Sequence, residues 1–159
     1  WASSLPEVVG AMLSDRRMTI SVAESCTGGL LSSAITDVSG SSSWFERGAV
    51  TYSNRAKIEI LGVPEDVLRA HGAVSAEVAM SMADGMRRSS GASVAVAITG
   101  IAGPGGGSPE KPVGTVFIAL SSEQETKANE FHFARERLMF KQMVSWTALD
   151  LVRRDLLKG

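Results

Sequence analysis

Three segments of this chain hold residues whose types and spacing can do chemistry. The first is Glu24-Ser25-Cys26-Thr27-Gly28-Gly29. It follows a short apolar, β-branched run at residues 18–23, a strand candidate. It precedes Leu30, Leu31, Ala34, Ile35 and Val38, which recur at helical spacing. A hydroxyl at a strand-to-helix turn lies beside backbone N–H groups that have no helical acceptor, and such donors suit an oxyanion or a phosphate. Ser and Thr also cap helices without doing any chemistry, and on spacing alone capping is the stronger reading. Cys26 is a rival nucleophile, although a buried free cysteine usually behaves as a small hydrophobe. A catalytic cysteine needs a base, and the two histidines are His71 in a polar turn and His132 between Phe131 and Phe133. Neither is placed as one.

The second segment is Thr51-Tyr52-Ser53-Asn54-Arg55-Ala56-Lys57. A lysine with its reference pKa of ~10.4 is a poor base, so Lys57 would have to be desolvated or set near other cations. Arg55 is one such cation, and Ile58 and Ile60 are apolar neighbours; a carboxylate such as Glu24 or Glu46 would act in the opposite direction. Tyr52 is the single tyrosine, with a hydroxyl able to orient the pair or touch substrate. Taken alone, the segment reads as a solvated lysine and a half-buried tyrosine.

The third is the glycine-rich stretch at residues 99–108, whose backbone can wrap a phosphate closely. It ends in no Gly-Lys-Ser/Thr and is not a dinucleotide fingerprint. Ser108-Pro109-Glu110-Lys111 matches a Ser-x-x-Lys pattern. That pattern needs a helix to join its two ends, and Gly107 before it and Pro112 after it oppose one. Two distant histidines and one cysteine give no metal-ligand spacing, so no metal is expected.

The elements that must position these residues can be read in outline. Ser4 with Glu7 forms a capping-box pattern opening a helix over residues 5–16, with Leu5, Val8, Val9, Met12 and Leu13 on one face. Residues 39–43 form a polar loop and 48–53 a second strand. A short helix over 54–61 closes at Gly62, and Pro64 opens another. Ser75 caps a longer helix carrying Val78, Met82 and Met86. Residues 93–98 form an apolar strand. Residues 113–120 and 127–133 form two more, joined as a hairpin, and 135–158 a long amphipathic helix. This order predicts an α/β fold: a three-layer, single-domain arrangement over residues 1–159, with a mixed β-sheet covered by helices on its faces.

Composition narrows the classes. With 159 residues, 44% hydrophobic and 21% charged, the chain is an ordinary globular domain. A formal net charge of -1 argues against a basic nucleic-acid surface. No apolar run approaches the ~20 residues of a membrane span, and no signal-peptide layout is present. One cysteine rules out an intrachain disulfide and fits a reducing, cytoplasmic setting. A chain opening on Trp1 is expected to lack its native start.

Several motifs in one order give a more specific pointer. They are Ala23-Glu24-Ser25-Cys26-Thr27-Gly28-Gly29, Gly40-Ser41-Ser42-Ser43-Trp44-Phe45-Glu46-Arg47-Gly48 and Thr51-Tyr52-Ser53-Asn54 with Lys57. His71-Gly72-Ala73-Val74-Ser75, Thr99-Gly100-Ile101-Ala102-Gly103-Pro104 and Glu110-Lys111-Pro112-Val113-Gly114-Thr115 follow. Together they resemble the CinA C-terminal-domain family, whose stand-alone members are nicotinamide-nucleotide amidases. The resemblance implies hydrolysis of the carboxamide of nicotinamide mononucleotide to nicotinic acid mononucleotide and ammonia, without a cofactor. It implies a Ser25–Lys57 catalytic pair with Tyr52 beside it. Ser42, Thr99, Gly100, Gly103, Gly105 and Arg137 would surround the substrate, with Thr27 and Gly28 of the nucleophile turn. Where relatives show a Gly-Asp-Arg turn after a Phe, this chain has Phe133-Ala134-Arg135-Glu136-Arg137, and Arg137 is preferred over Arg135. Longer members carry an N-terminal molybdopterin-binding-like domain that these residues do not include. A small-molecule nucleotide is the expected partner. A homo-oligomer, with a dimer favoured, is expected from small domain size, from family tendency and from Trp44 and Phe45 as exposed apolar candidates, although these two fit a core equally well. A non-catalytic nucleotide-binding module and an amidase for another carboxamide are the competing readings.

Overall fold

The structure is a computed structural model, and it describes residues 3–159. Its elements run α1 (Leu5–Asp15), β1 (Ile20–Glu24), α2 (Leu30–Thr36), a 3-10 turn (Ser41–Ser43), β2 (Phe45–Val50), α3 (Asn54–Leu61), α4 (Glu65–His71), α5 (Ala76–Ser90), β3 (Val94–Gly100), β4 (Thr115–Ser121), β5 (Thr126–His132) and α6 (Arg137–Lys158). The expected capping box opens α1, with Ser4 Oγ accepting from the Glu7 amide and Glu7 reaching back to the Ser4 amide.

The five strands form one mixed sheet in the order β2-β1-β3-β4-β5. β1 runs parallel to β2 and β3, while β3–β4 and β4–β5 are antiparallel. The expected three-layer α/β class is the one observed. Period-2 alternation assigns each strand residue to a layer. Ile20, Val22, Val96, Ile98, Val116, Ile118 and Leu120 pack under α1, α2 and α6. Ala23, Ala95, Ala97 and Ala119 face α5 with Phe117, alongside the ends of α3 and α4. Bulky branched side chains thus fill one layer, and alanines on the other let α5 lie close to the sheet.

Two expectations change. The second strand is Phe45–Val50, three residues earlier than read. Its pairing begins at Phe45 opposite Ile20 and ends at Val50 opposite Glu24, after which Ser53 turns to cap α3 with its hydroxyl. Trp44 is buried at 4% exposure and Phe45 packs on the same core. The Trp44 ring fills the space over Gly10, where any Cβ would collide with it. Neither aromatic is therefore the exposed patch on which a dimer was expected. The last helix begins at Arg137 because Glu136 caps it, accepting from the amides of Leu138 and Met139.

Candidate active site

β1 and β2, parallel neighbours, end at Glu24 and Val50, and the segments that leave them bring Ser25 and Lys57 together. The carboxyl ends of parallel strands are where open α/β sheets hold ligands. Glu24 ends β1, its carbonyl accepting from the Thr51 amide at 2.7 Å and from the Thr51 hydroxyl at 3.3 Å. Thr51 is thereby locked to β1, and six residues later Lys57 sits in the first half of α3. Lys57 is 1% exposed and Ser25 is 7% exposed. Lys57 Nζ donates to Ser25 Oγ at 2.9 Å, to the Thr51 carbonyl at 2.8 Å and to the Tyr52 carbonyl at 3.1 Å. Burial lowers the Lys57 pKa, because a desolvated ammonium is penalised, and the neighbouring Cys26 works weakly in the other direction.

Burial was the first source expected for that shift and is the one observed, with Ile58 packed against the core; the other charges and Ile60 lie elsewhere. Arg55 pairs with Glu59 on the exposed side of α3, and Ile60 is exposed. Glu46 pairs with Arg47 on β2. Glu24 turns its carboxylate to the start of α2, where it accepts from Thr27 Oγ1, the Gly29, Leu31 and Ser32 amides and Ser32 Oγ.

A pocket of about 280 Å³ opens over the pair, lined by Ser25, Cys26, Tyr52, Asn54, Lys57, Ala73, Val74, Thr99, Gly100, Ile101, Ala102, Gly103, Gly105, Gly106 and Arg137. Of the residues singled out in the sequence, Ser25, Lys57, Tyr52, Thr99, Gly100, Gly103, Gly105 and Arg137 meet here. Thr99 Oγ1 donates to the Ala73 carbonyl at 2.8 Å, tying β3 to the segment after α4. Arg137 donates to the Gly103 carbonyl at 2.6 Å and to the Tyr52 hydroxyl at 3.1 Å. The Arg135 side chain donates, among the described residues, to the neighbouring Ala134 carbonyl and does not line the pocket, so the pocket arginine is Arg137.

Four expectations need correction. Thr27 is fully buried and its hydroxyl is held by Glu24, so it faces away from the pocket. Gly28 makes the left-handed bend of the turn, φ +61, without lining the pocket. Ser42 precedes β2, whose first residue pairs with the first residue of β1, so it lies at the end of the sheet opposite Ser25. Of the two roles expected for the Tyr52 hydroxyl, orienting the pair is not the one observed: its carbonyl holds Lys57 and its hydroxyl accepts from Arg137, while the residue lines the pocket where a substrate would lie.

Rival constellations are not assembled. Burial pushes the Cys26 thiol up to about 12, and no histidine faces it. His71 Nδ1 lies 3.6 Å from Glu77, and His132 contacts Glu130 and Thr115. Ser108 Oγ accepts from the Lys111 amide, while Lys111 Nζ reaches the His71 carbonyl at 2.9 Å, so these two form no pair. Among the described residues no group of three His, Cys, Asp or Glu side chains is placed to hold a metal, and no helix is long and apolar enough to cross a membrane. Asn54, Ala73, Val74, Ile101 and Ala102 line the pocket without having been singled out, although each falls inside a quoted motif.

The fold and this site define a three-layer α/β domain with a buried Ser–Lys pair under a glycine-walled pocket. The model of the CinA C-terminal domain matches residues 2–156, and the chain belongs to that family. It is 53% identical over 154 residues to a CinA-like protein of Geotalea daltonii, covering 97% of this chain and 37% of that protein. It is 47% identical over 153 residues to a putative competence-damage inducible protein of Caldicellulosiruptor bescii, covering 96% and 37%. The chain thus spans 37% of the length of these curated relatives. Among solved structures, the competence/damage inducible protein CihA of Agrobacterium tumefaciens matches with TM-score 0.89 at 40% identity, covering 97% of this chain and 96% of that one. A CinA superfamily protein of Klebsiella pneumoniae matches with TM-score 0.93 at 29% identity, covering 99% and 100%.

Proposed function

We propose that this domain is an amidohydrolase that converts nicotinamide mononucleotide to nicotinic acid mononucleotide and ammonia, with Ser25 as nucleophile and Lys57 as its base. The observation that carries this reading is the buried Lys57 Nζ–Ser25 Oγ hydrogen bond of 2.9 Å at the floor of a pocket. An ammonium has three donors, and a neutral amine has two donors and one lone pair. With the two donors committed to the Thr51 and Tyr52 carbonyls, the lone pair of neutral Lys57 points at the Ser25 hydroxyl. Neutral Lys57 then takes the Oγ proton as Oγ attacks the carboxamide carbon, and returns it to the departing ammonia. Water, activated by the same amine, cleaves the resulting ester.

The turn after Ser25 supplies donors for the developing oxyanion. The Gly28 amide is used on the Ser25 carbonyl and the Gly29 amide on Glu24. Cys26 lines the pocket beside the nucleophile, and its amide donates to no acceptor outside its own residue among the described residues. One such donor is worth about 3 kcal/mol of barrier. Besides the Lys57 amine, the pocket is lined by one cation, Arg137, and by no carboxylate. That suits a phosphate-bearing substrate, with Ala73, Val74 and Ile101 as an apolar wall for a flat ring. Nothing in these steps calls for a metal or organic cofactor, and we place the reaction in the cytoplasm, where nucleotide pools lie.

Ammonia release from nicotinamide mononucleotide tests the reading. Wild type should release it, and Ser25→Ala should lose about 10⁴-fold or more in kcat while melting as wild type does. Cys26→Ala should keep most of the rate. A chain that binds the nucleotide without releasing ammonia is a binding module; one that cleaves only other carboxamides has another substrate.

A further inference from the structure

Glu24 stands next to Ser25 in the chain and is fully buried, yet it lines no part of the pocket. Its side chain does what a helix cap does, from an unusual place. The N-cap of α2 is Gly29, which has no side chain to offer, so the first amides of that helix need an acceptor from elsewhere. Glu24 Oε1 accepts from the Gly29 amide at 3.2 Å, the Leu31 amide at 3.0 Å and Thr27 Oγ1 at 2.6 Å. Oε2 accepts from the Ser32 amide at 2.9 Å and Ser32 Oγ at 2.7 Å. Five donors saturate a carboxylate, which has about four lone-pair sites. Every one of them belongs to the segment just beyond Ser25.

The backbone of the same residue faces the other half of the dyad. The Glu24 carbonyl holds Thr51 through both its amide and its hydroxyl, and the Thr51 carbonyl accepts from Lys57 Nζ. Residues 25–28 therefore form a loop fixed at its start by the Glu24 main chain and at its finish by the Glu24 carboxylate. Lys57 hangs from the same residue through one intermediary.

We infer that Glu24 is the positioning residue of the active site: its carboxylate clamps the Ser25–Gly28 loop onto the start of α2, and so sets the Ser25–Lys57 distance and the direction of the Cys26 amide. This rests on the Ser25–Lys57 reading and adds to it a residue that touches neither substrate nor the reacting atoms. A glutamine in its place has the same shape but turns an NH₂ group toward donors, so one side of the clamp faces N–H against N–H. Misplacement of a reacting group by ~1 Å costs about 100-fold in rate.

The test is Glu24→Gln, with Ser32→Ala as a milder partner that removes one donor and leaves the carboxylate buried. Glu24→Gln should lower kcat by about 100-fold with KM within about threefold of wild type, because Arg137 and the pocket wall are untouched. Ser32→Ala should show the same split with a smaller loss. Two readouts do not depend on turnover. Amide hydrogen exchange should show Gly29, Leu31 and Ser32 losing protection in Glu24→Gln. A crystal structure of the variant should show the Ser25 Oγ–Lys57 Nζ contact opened beyond hydrogen-bond reach. A folded Glu24→Gln protein with wild-type kcat and the contact intact overturns the inference, as does a lowered Tm with unchanged kcat. If wild type releases no ammonia, the proposed function falls, while exchange and the crystallographic contact still decide the role of Glu24.

Discussion

Lys57 is surrounded by three oxygen acceptors and is itself buried, and those two facts act against each other. The oxygens suit an ammonium, while burial penalises one, and burial is the larger effect on its pKa. The working form is the neutral amine, so kcat/KM should rise with pH through an apparent pKa below the ordinary 10.5 of a lysine. Lys57→Arg should lose about 10³-fold or more at every pH, since a guanidinium keeps its proton, and Lys57→Met should fail equally. A Lys57→Arg enzyme with most of the wild-type rate would reduce Lys57 to an electrostatic anchor. The types and spacing of residues made Ser25 and Lys57 candidates, but on spacing alone a helix cap and a surface lysine explained them as well. Only the resemblance favoured a pair. The reason is physical: residues 32 apart meet because β1 and β2 are neighbours, and pairing between strands is not written in either segment. Whether Glu24 would oppose the lysine shift was open in the sequence, because adjacency in the chain does not say which way a side chain turns.

Helices and strands in this chain were legible wherever a local cue set them. The Ser4–Glu7 capping box, the α3 end at Gly62 and the Ser75 cap of α5 are short-range signals, and each element lies within a residue or two of where they put it. β2 was misplaced because its limits come from pairing with β1 rather than from its own residues. Gly85 shows what such cues omit. A glycine inside a helix normally costs ~1 kcal/mol against alanine, and nothing in the sequence around it asks for one. In the fold, a Cβ at Gly85 would collide with the Leu61 carbonyl at the end of α3, the helix that carries Lys57. Gly85→Ala must therefore push α3 away from α5. We expect it to destabilise by about 3 kcal/mol, a fall in Tm of roughly 10 °C. Because Lys57 moves with α3, kcat of the folded variant should fall too. An unchanged Tm would mean that α3 sits looser on α5 than the structure has it.

At the scale of the whole molecule, the active site is also a load on the fold. A desolvated lysine whose pKa is lowered on folding holds fewer protons in the folded state than in the unfolded chain, between its lowered value and 10.5. Stability rises with pH wherever the unfolded chain binds more protons, so the Lys57 contribution improves as pH climbs through that window. Below it, lysine is charged in both states and the full burial cost is present. Lys57→Met removes this titration. It also leaves the Thr51 and Tyr52 carbonyls without their donor, a cost that does not change with pH. All other ionisable groups are shared by the two proteins, so their effects largely cancel in the difference. The stability of wild type minus that of Lys57→Met should therefore increase as pH climbs through that window toward pH 10. Denaturant melts of both proteins across that range read the slope directly. A flat difference would mean that Lys57 enters the folded state with its ordinary pKa, and the base would then have to be sought elsewhere in the pocket.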